Sequence, residues 1–437
     1  MKRTLKKLIE RIHLWLGLIS GFVVFIIGLS GCMLAFEEEI KSLIYDYKYT
    51  VEINDNSKEK PLSEIFKAAC LISKSIPINR IEIINKEDHS YIFKNYTFVP
   101  DEEAGFFYWE DTEFYYEVFV NPYTTEIIEA EDQTFGLFRF LVSLHVSLLL
   151  NHEIGTRIVG ITTLIFVIML ITGLILWWPK NKKALKVRTW FRWKSTTQWR
   201  RKNYDLHNIV GFYSMFLVIF IALTGLMWAL DWFSHSVEWI ANGGKTIEKE
   251  KVKVVSTLAP LVSDYPLDIV HNSLRKNHPQ AKIYSISLPQ DSLGTIGTFV
   301  VYNEKIRGVY LQFDQYSGEP LHAEGKWEDK TNGEKVWAYN YDIHTGAIGG
   351  IVGKTIAFFV SLFSASLPVT GFLIWYSRNK KKKKLKRTGG SRGAKKVAKG
   401  VAVNKLNQTE SSTCFEKTGH QKAARIRRIF RKLAVFL

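Results

Sequence analysis

Two apolar stretches of this chain align without a gap: HLWLGLISGFVVFIIGLSGCMLAF at residues 13–36 and HNIVGFYSMFLVIFIALTGLMWAL at residues 207–230. Each begins with a histidine, carries a glycine four residues later and another eighteen residues later, and contains no Asp, Glu, Lys or Arg. A run of about 20 apolar residues lets an α-helix cross the ~30 Å hydrocarbon core of a bilayer. The two stretches therefore predict two equivalent membrane-spanning helices.

Two further charge-free runs, Ile158–Trp178 and Thr355–Tyr376, meet the same length criterion. Each is marked by two glycines eighteen residues apart and by a histidine nine or ten residues ahead of the first glycine. Such a repeat points to an internal duplication. The sequence thus predicts an α-helical integral membrane protein with four transmembrane helices in two tandem repeats. The marker residues are Gly155, Gly173 and His145 in the first half and Gly353, Gly371 and His344 in the second.

Two other interpretations of these runs stay open. Buried helices of a large soluble protein would also be apolar. The tetrapeptide Leu29-Ser30-Gly31-Cys32 resembles a lipoprotein cleavage box, which would make the first helix a removable signal peptide. The repeat favours membrane-spanning helices, because a Ser-Gly or Thr-Gly pair recurs in every run.

The distribution of charge predicts the orientation of the helices. Residues 1–12 carry +4, residues 180–202 carry +10 and residues 378–437 carry +18, whereas the whole chain carries +17. Lysine and arginine concentrate on the cytoplasmic side of membrane proteins. Both termini and the middle loop are therefore expected in the cytoplasm, and the two long remaining segments outside. The basic charge follows from membrane topology and does not indicate nucleic-acid binding.

Each outward segment predicts a small α+β domain. Amphipathic helices begin near Pro61 and Pro266, and alternating strands turn around residues 121–126 and 314–319. The basic tail is expected to be disordered, with an amphipathic end at residues 424–437 that suits an anionic membrane surface. The predicted boundaries are 1–36 (N-terminus and first span), 37–138 (first outer domain), 139–179 (pre-span segment and second span), 180–206 (basic loop), 207–230 (third span), 231–343 (second outer domain), 344–378 (fourth span) and 379–437 (tail).

Four histidines recur at the predicted membrane boundaries. His13 and His207 are expected at the cytoplasmic ends of spans one and three, and His145 and His344 at the outer ends of spans two and four. Ionisable residues at such positions are costly and mark functional sites. Two facing imidazoles are what a six-coordinate b-type haem requires, because its iron takes one axial nitrogen from each side. No Cys-x-x-Cys-His motif for covalent haem occurs.

The glycines agree with this placement. Eighteen residues are five helical turns, so Gly31 lies on the same helix face as His13 but about 27 Å further along. Gly31 and Gly225 are therefore expected level with the outer histidines, and Gly173 and Gly371 level with the inner ones. A flat macrocycle between helices needs small residues beside it, although tight helix packing also selects glycine.

Several assignments remain open at this stage. His152 also precedes the second span and competes with His145 as a ligand. Arg11, Arg139 and Arg157 are candidates to pair with haem propionates or with lipid headgroups. The other histidines follow no repeated pattern and are expected at the surface; they are His89, His235, His271, His278, His322 and His420.

With these motifs the chain resembles the PepSY-associated transmembrane family of iron-regulated, PiuB-like membrane proteins, which includes siderophore-iron reductases of the bacterial inner membrane. The outer domains resemble PepSY modules, whose Asp-Pro-x-Thr-Gly-Glu turn is altered here at Asn121, Thr125 and Gln315. The resemblance extends over about residues 5–380 and rests on residues 12–21, 158–179, 203–212 and 342–350.

The resemblance implies a multi-pass inner-membrane oxidoreductase that holds two b-type haems. A cytoplasmic flavin or other reductant would donate electrons. A ferric siderophore or other ferric chelate would accept them, because reduction to Fe(II) weakens chelation by hard oxygen ligands. Sulfur oxyanions, quinones and copper are alternative acceptors.

Two functions of other classes compete with electron transfer. A haem-free membrane scaffold or sensor would use its outer domains to bind a peptide or a protease. A metal-chelate transporter would use paired spans, with Pro368 as the site of a broken helix.

Overall fold

The computed structural model describes residues 3–53, 58–73, 76–100, 102–247, 253–257, 265–302 and 308–401, with side chains as far as residue 380. The α-helices are α1 (Arg3–Leu34), α2 (Glu37–Ile44), α3 (Asp46–Tyr49), α4 (Leu62–Ser73), α5 (Leu137–Ser147), α6 (His152–Trp177), α7 (Lys182–Arg188), α8 (Trp199–Ala229), α9 (Asp231–Ala241), α10 (Pro266–Asn277), α11 (Asn332–Thr345) and α12 (Gly350–Val401). The strands are β1 (Arg80–Ile84), β2 (Tyr91–Phe98), β3 (Thr112–Val120), β4 (Ile127–Asp132), β5 (Ile283–Ser287), β6 (Thr295–Val301), β7 (Val309–Asp314) and β8 (Pro320–Glu324).

Four helices are long and apolar enough to cross a membrane, as the sequence predicts. The ranges are Thr4–Leu34, His152–Trp177, Trp199–Ala229 and Ala347–Lys380. α1 packs on α6, and α6 packs on α8. Glycines let α1 approach α12 closely, because a Cβ added to Gly28 would lie 3.1 Å from the Cβ of Ala365.

Pro368 lies inside α12, and the helix continues through it. A Cβ added to Gly21 of α1 would lie 3.2 Å from the Cβ atom of Pro368. Neighbouring helices can support a proline in a membrane helix without breaking it. The broken helix that the transporter hypothesis places at Pro368 is therefore not found.

His145 and His344 lie on two short helices, α5 and α11, that precede the second and fourth spans. The sequence predicts both histidines at the outer ends of these spans, with His145 in the segment ahead of the second. α5 ends at Ser147, and Leu148 and Leu149 then take left-handed conformations with φ of 57° and 65°. α11 ends in the same way at Gly346, with φ of 78°. Left-handed conformations cost non-glycine residues roughly 1–2 kcal/mol each, so surrounding contacts hold the turn after α5. One is the hydrogen bond from Tyr108 N–H to Leu149 O.

The outer segments share a single antiparallel sheet in the order β4-β3-β2-β1-β5-β6-β7-β8. β1 and β5 pair from Arg80 with Ser287 to Ile84 with Ile283. The prediction of two separate α+β domains is therefore corrected to two four-stranded halves of one sheet. Pairing β1 with β5 removes the two strand edges that separate domains would expose.

One face of the sheet is covered by α4 and α10, which bind each other. Ser63 donates to the Asp268 carboxylate from its backbone N at 2.8 Å and from its Oγ at 2.6 Å. The apolar core beneath the two helices draws on both halves of the chain. Its fully buried large side chains include Ile65, Ile81, Phe93, Leu274, Tyr284 and Phe313.

The segment after the fourth span is predicted to be disordered from residue 379, but its first part is helical. α12 continues through the lysine run to Val401. Lysine and alanine favour helices, and extending an existing helix avoids the cost of nucleation. The predicted amphipathic end at residues 424–437 lies outside the described residues.

His271 is buried, although the histidines outside the repeated pattern are expected at the surface. His271 on α10 is 6% exposed and contacts the Tyr91 ring edge to face, with centroids 5.8 Å apart. Arg275 donates to the Tyr91 hydroxyl at 3.0 Å and pairs with Glu59 at 2.5 Å. Burial, reinforced by the charge of Arg275, lowers the pKa of His271 to about 3.

We expect His271→Leu to reduce the acid sensitivity of the outer sheet. The folded pKa of about 3 lies below the unfolded value of about 6.5. The neutral histidine therefore favours the folded state at pH 7, and this contribution is lost as the pH falls from 6.5 toward 3. Hydrogen-exchange protection of the β1 and β5 amides should fall less in the variant than in the wild type between pH 7 and pH 4.5. Equal losses in both proteins would contradict this explanation; His235→Leu, at an exposed position on α9, is the control.

Candidate functional site

Two histidine pairs lie at opposite ends of the helical bundle. His13 on α1 faces His207 on α8, with ring centroids 6.5 Å apart and an interplanar angle of 83°. His145 on α5 faces His344 on α11, with centroids 6.1 Å apart and an angle of 73°. All four side chains are half-buried. The structure thus brings together the same partners that the sequence predicts.

A serine or threonine hydroxyl contacts the Nδ1 atom of each imidazole. Each of these hydroxyls already donates to a carbonyl of its own helix, so it accepts from Nδ1–H. In addition, His145 Nδ1 lies 2.8 Å from Ile27 O and His344 Nδ1 lies 3.0 Å from Ile221 O, and a carbonyl can only accept. The four hydroxyl contacts are His13 with Thr172 at 3.0 Å, His145 with Ser30 at 3.2 Å, His207 with Thr370 at 2.9 Å and His344 with Thr224 at 3.0 Å.

These partners assign the tautomer of all four rings. With the proton on Nδ1, the Nε2 atom of each neutral imidazole keeps its lone pair, which is the form that binds a metal ion. This role of the hydroxyls is not predicted from the sequence. Their signal was the recurring Ser-Gly or Thr-Gly pair, which indicated the repeat without indicating what the hydroxyl binds.

The four predicted glycines lie against the imidazole rings. A Cβ added to the glycine would lie 3.0–3.3 Å from the Cε1 atom of the histidine, closer than ordinary van der Waals contact. The space that these glycines leave is therefore occupied by the imidazoles, and a direct contact with a macrocycle stays a prediction. The pairs are Gly31 with His145, Gly173 with His13, Gly225 with His344 and Gly371 with His207.

Two buried asparagines support the histidines of the second half. Asn203 precedes His207 by one turn, and its Nδ2 donates to Thr370 O at 3.0 Å. Asn340 stands one turn before His344, and its Nδ2 donates to Thr224 O at 3.1 Å. Both asparagines thus bind the backbone of the threonine that contacts the imidazole. The signal in the sequence was the repeated Asn-Tyr-Asp-Leu-His and Asn-Tyr-Asp-Ile-His at 203–207 and 340–344.

The alternative ligand and the candidate arginines lie elsewhere. His152 is the first residue of α6 and is exposed. Its backbone N–H donates to the Asp111 carboxylate at 2.8 Å. The Arg139 guanidinium lies over the rings of three aromatic residues, the nearest being Tyr115 at 4.7 Å. Arg157 pairs with Glu153 on its own helix at 2.5 Å.

In each pair the two rings come from different halves of the chain, and with the proton on Nδ1 each ring keeps an unprotonated Nε2. Such an arrangement can supply two ligands on opposite sides of one metal ion. Among the described residues, no cluster of three or more His, Cys, Asp or Glu side chains has metal-binding geometry.

The model of the PepSY-associated TM region matches residues 10–378 of this chain. The chain belongs to the PepSY-associated transmembrane family. No curated protein matches the sequence. In this family member, the matched region contains both histidine pairs and the whole outer sheet.

We expect Gly225→Val to destabilise the protein more than Gly211→Val, although both glycines lie in α8. The added side chain at 225 would displace the His344 ring, whose Cε1 is 3.3 Å from the Cβ position, whereas at 211 it meets a flexible tip of Leu367 at 3.5 Å. Overpacking of this kind costs about 1–3 kcal/mol. Thermal unfolding of the detergent-solubilised protein measures the difference, and equal losses would show that the ring contact is not tight.

Proposed function

We propose that this protein is a dihaem b-type electron-transfer protein of the bacterial inner membrane. It would pass electrons from a cytoplasmic reductant, such as a flavin, to an extracytoplasmic ferric siderophore or other ferric chelate. The observation that carries the proposal is the facing pair of neutral imidazoles at each end of the bundle.

The spacing of the rings suits two axial ligands of one iron. A ring nitrogen binds a transition metal at about 2 Å and lies about 1 Å from its own centroid, so two axial imidazoles are expected to have centroids about 6 Å apart. The separations here are 6.5 and 6.1 Å. Two protein ligands leave four positions of a six-coordinate iron, which is the number that a porphyrin fills.

Haem b, when bound, supplies reversible one-electron chemistry at its iron. The chain supplies the ligand nitrogens, their tautomer and their orientation. Donation from Nδ1–H to an oxygen makes the opposite nitrogen a better ligand and fixes the plane of the ring. At the outer pair, the Trp228 ring also meets His344 edge to face at 5.1 Å, which restricts that ring further.

The two pairs are placed for transfer across a membrane. They lie level with residues 13 and 31 of α1, about 27 Å apart along a helix, which is close to the ~30 Å thickness of a hydrocarbon core. The basic segments at the inner pair support a cytoplasmic location for both termini. An electron entering beside His13 and His207 would leave beside His145 and His344.

The outer sheet supports the assignment of a duplicated chain with PepSY-like halves. Each half has one helix, α4 or α10, followed by a four-stranded meander, and β1 and β5 occupy equivalent central positions. The strands of the sheet lie in the two segments that join span one to span two and span three to span four, which are the segments that also carry His145 and His344. The sheet is therefore expected on the side of the outer histidine pair. A ferric chelate that binds there would take up one electron, and its iron would become Fe(II), which oxygen ligands hold less tightly.

We expect purified protein, expressed with haem available, to contain about two b-type haems per chain, one for each imidazole pair. His13→Ala and His344→Ala should each lose one haem. The haem that is lost should differ between the two variants, because they affect histidine pairs at opposite ends of the helical bundle. Dithionite-reduced spectra and pyridine haemochrome quantification give the result, with His235→Ala as the control. A colourless wild-type protein would reject electron transfer and favour the scaffold hypothesis.

Reduced protein should also be oxidised by a ferric chelate from the outer side. In liposomes that contain dithionite-reduced protein, addition of a ferric hydroxamate should reoxidise the haem bands and release Fe(II) to a ferrous indicator in equal amounts. His145→Ala should slow this reaction at least tenfold, because it removes a ligand at the exit side. Reoxidation by quinone or copper, with no reaction with ferric chelates, would assign another acceptor.

A further inference from the structure

The basic loop between spans two and three forms a defined cleft. Residues 180–202 contain ten lysines and arginines and no acidic residue. α7 in this loop packs beside the first turns of α8 and leaves a cleft of about 380 Å³. Its lining includes Lys183, Arg188, Arg201, Tyr204 and Asp205.

The cations of this basic cleft differ in what already binds them. Arg188 Nη1 donates to carbonyls at the end of α6, including Leu176 O at 3.3 Å, so it has a structural role. Arg201 uses its Nε to bind Asp205 at 2.9 Å and keeps its two Nη groups for other acceptors. Within the described part of the chain, no carboxylate lies within ion-pair distance of Lys183.

Among the described residues of the lining, the one acidic side chain, Asp205, is largely neutralised. Asp205 receives hydrogen bonds on one carboxylate oxygen from Arg201 Nε and from Trp193 Nε1 at 3.2 Å. The lining therefore has an excess of positive charge. Two cations beside each other, Lys183 and Arg201, favour a phosphate oxyanion, which accepts several charge-assisted hydrogen bonds at once.

Exposed aromatic rings indicate where this phosphate comes from. Trp190 and Trp199 are 69% and 65% exposed, and Phe191 and Trp193 beside them are also exposed. Tryptophan concentrates at the headgroup level of membranes, and the cleft lies where α6 ends and α8 begins. Basic pockets at this level on the cytoplasmic side bind anionic phospholipid headgroups.

We propose that the basic cleft binds a phosphate ester, supplied by the headgroup of an anionic phospholipid. Lys183 and the Nη groups of Arg201 bind the phosphate. The aromatic rings lie at the boundary between the headgroups and the acyl chains. The inference does not depend on haem. It places a lipid next to Asn208, which lines the cleft and adjoins His207 of the inner pair.

Native mass spectrometry of the full-length protein in detergent tests the proposal. The protein is offered equimolar dioleoyl phosphatidylglycerol and dioleoyl phosphatidylcholine. We expect the first bound lipid to be phosphatidylglycerol, with at least a tenfold preference over phosphatidylcholine. Equal binding of the two lipids would overturn the proposal.

Matched variants separate the cleft from general positive charge. Lys183→Gln/Arg201→Gln should reduce the preference about tenfold, because two charge-assisted hydrogen bonds are lost. Lys183→Gln alone, which leaves the Asp205 pair intact, should give part of that loss. Lys182→Gln/Lys186→Gln removes two cations from the same helix outside the lining and should change the preference less than twofold. Equal losses in the two double variants would overturn the proposal.

Competition with soluble phosphate esters distinguishes the source. Millimolar glycerol 1-phosphate and flavin mononucleotide are added to the phosphatidylglycerol-bound protein. Retention of the lipid supports a headgroup site. Displacement by either compound, abolished by Lys183→Gln/Arg201→Gln, would overturn the lipid assignment and make the cleft a site for a soluble phosphate ester.

Discussion

The hydrogen bond from an imidazole Nδ1 to a hydroxyl one residue before a helical glycine is the contact on which the bundle depends. It occurs four times, and each time it joins two different helices. The glycine lets the ring approach, the hydroxyl fixes its tautomer, and the opposite nitrogen keeps its lone pair. A larger residue at the glycine or an apolar one at the hydroxyl would remove either the space or the orientation.

The histidine pairs also explain why both repeats are needed. His13 and His145 come from the first half and His207 and His344 from the second, so each pair contains one ring from each half. The outer sheet is shared in the same way, through β1 with β5 and through Ser63 with Asp268. Either half alone would present single imidazoles and an open strand edge. The proposed sites therefore require both halves of the chain.

Part of this arrangement could be predicted from the sequence because membrane helices have a regular rise and period. A spacing of eighteen residues places Gly31 at the level of the outer histidines by geometry alone, and the contact with His145 agrees with it. The preference for His145 over His152 also follows from the repeat, and only His145 faces His344. The short helices α5 and α11 could not be predicted, because the left-handed residues that end α5 are leucines, which normally avoid this conformation.

Composition and spacing alone determined the four apolar helices, the partners in each histidine pair and the level of each glycine, because these depend on local periodicity and on the cost of charge in a bilayer. Only the tertiary structure decided that the two outer segments form one sheet, that His271 is buried, and that asparagines and hydroxyls of neighbouring helices support the imidazoles. These features arise between segments far apart in the chain. No local pattern encodes which strand edge or which carbonyl a distant residue will meet.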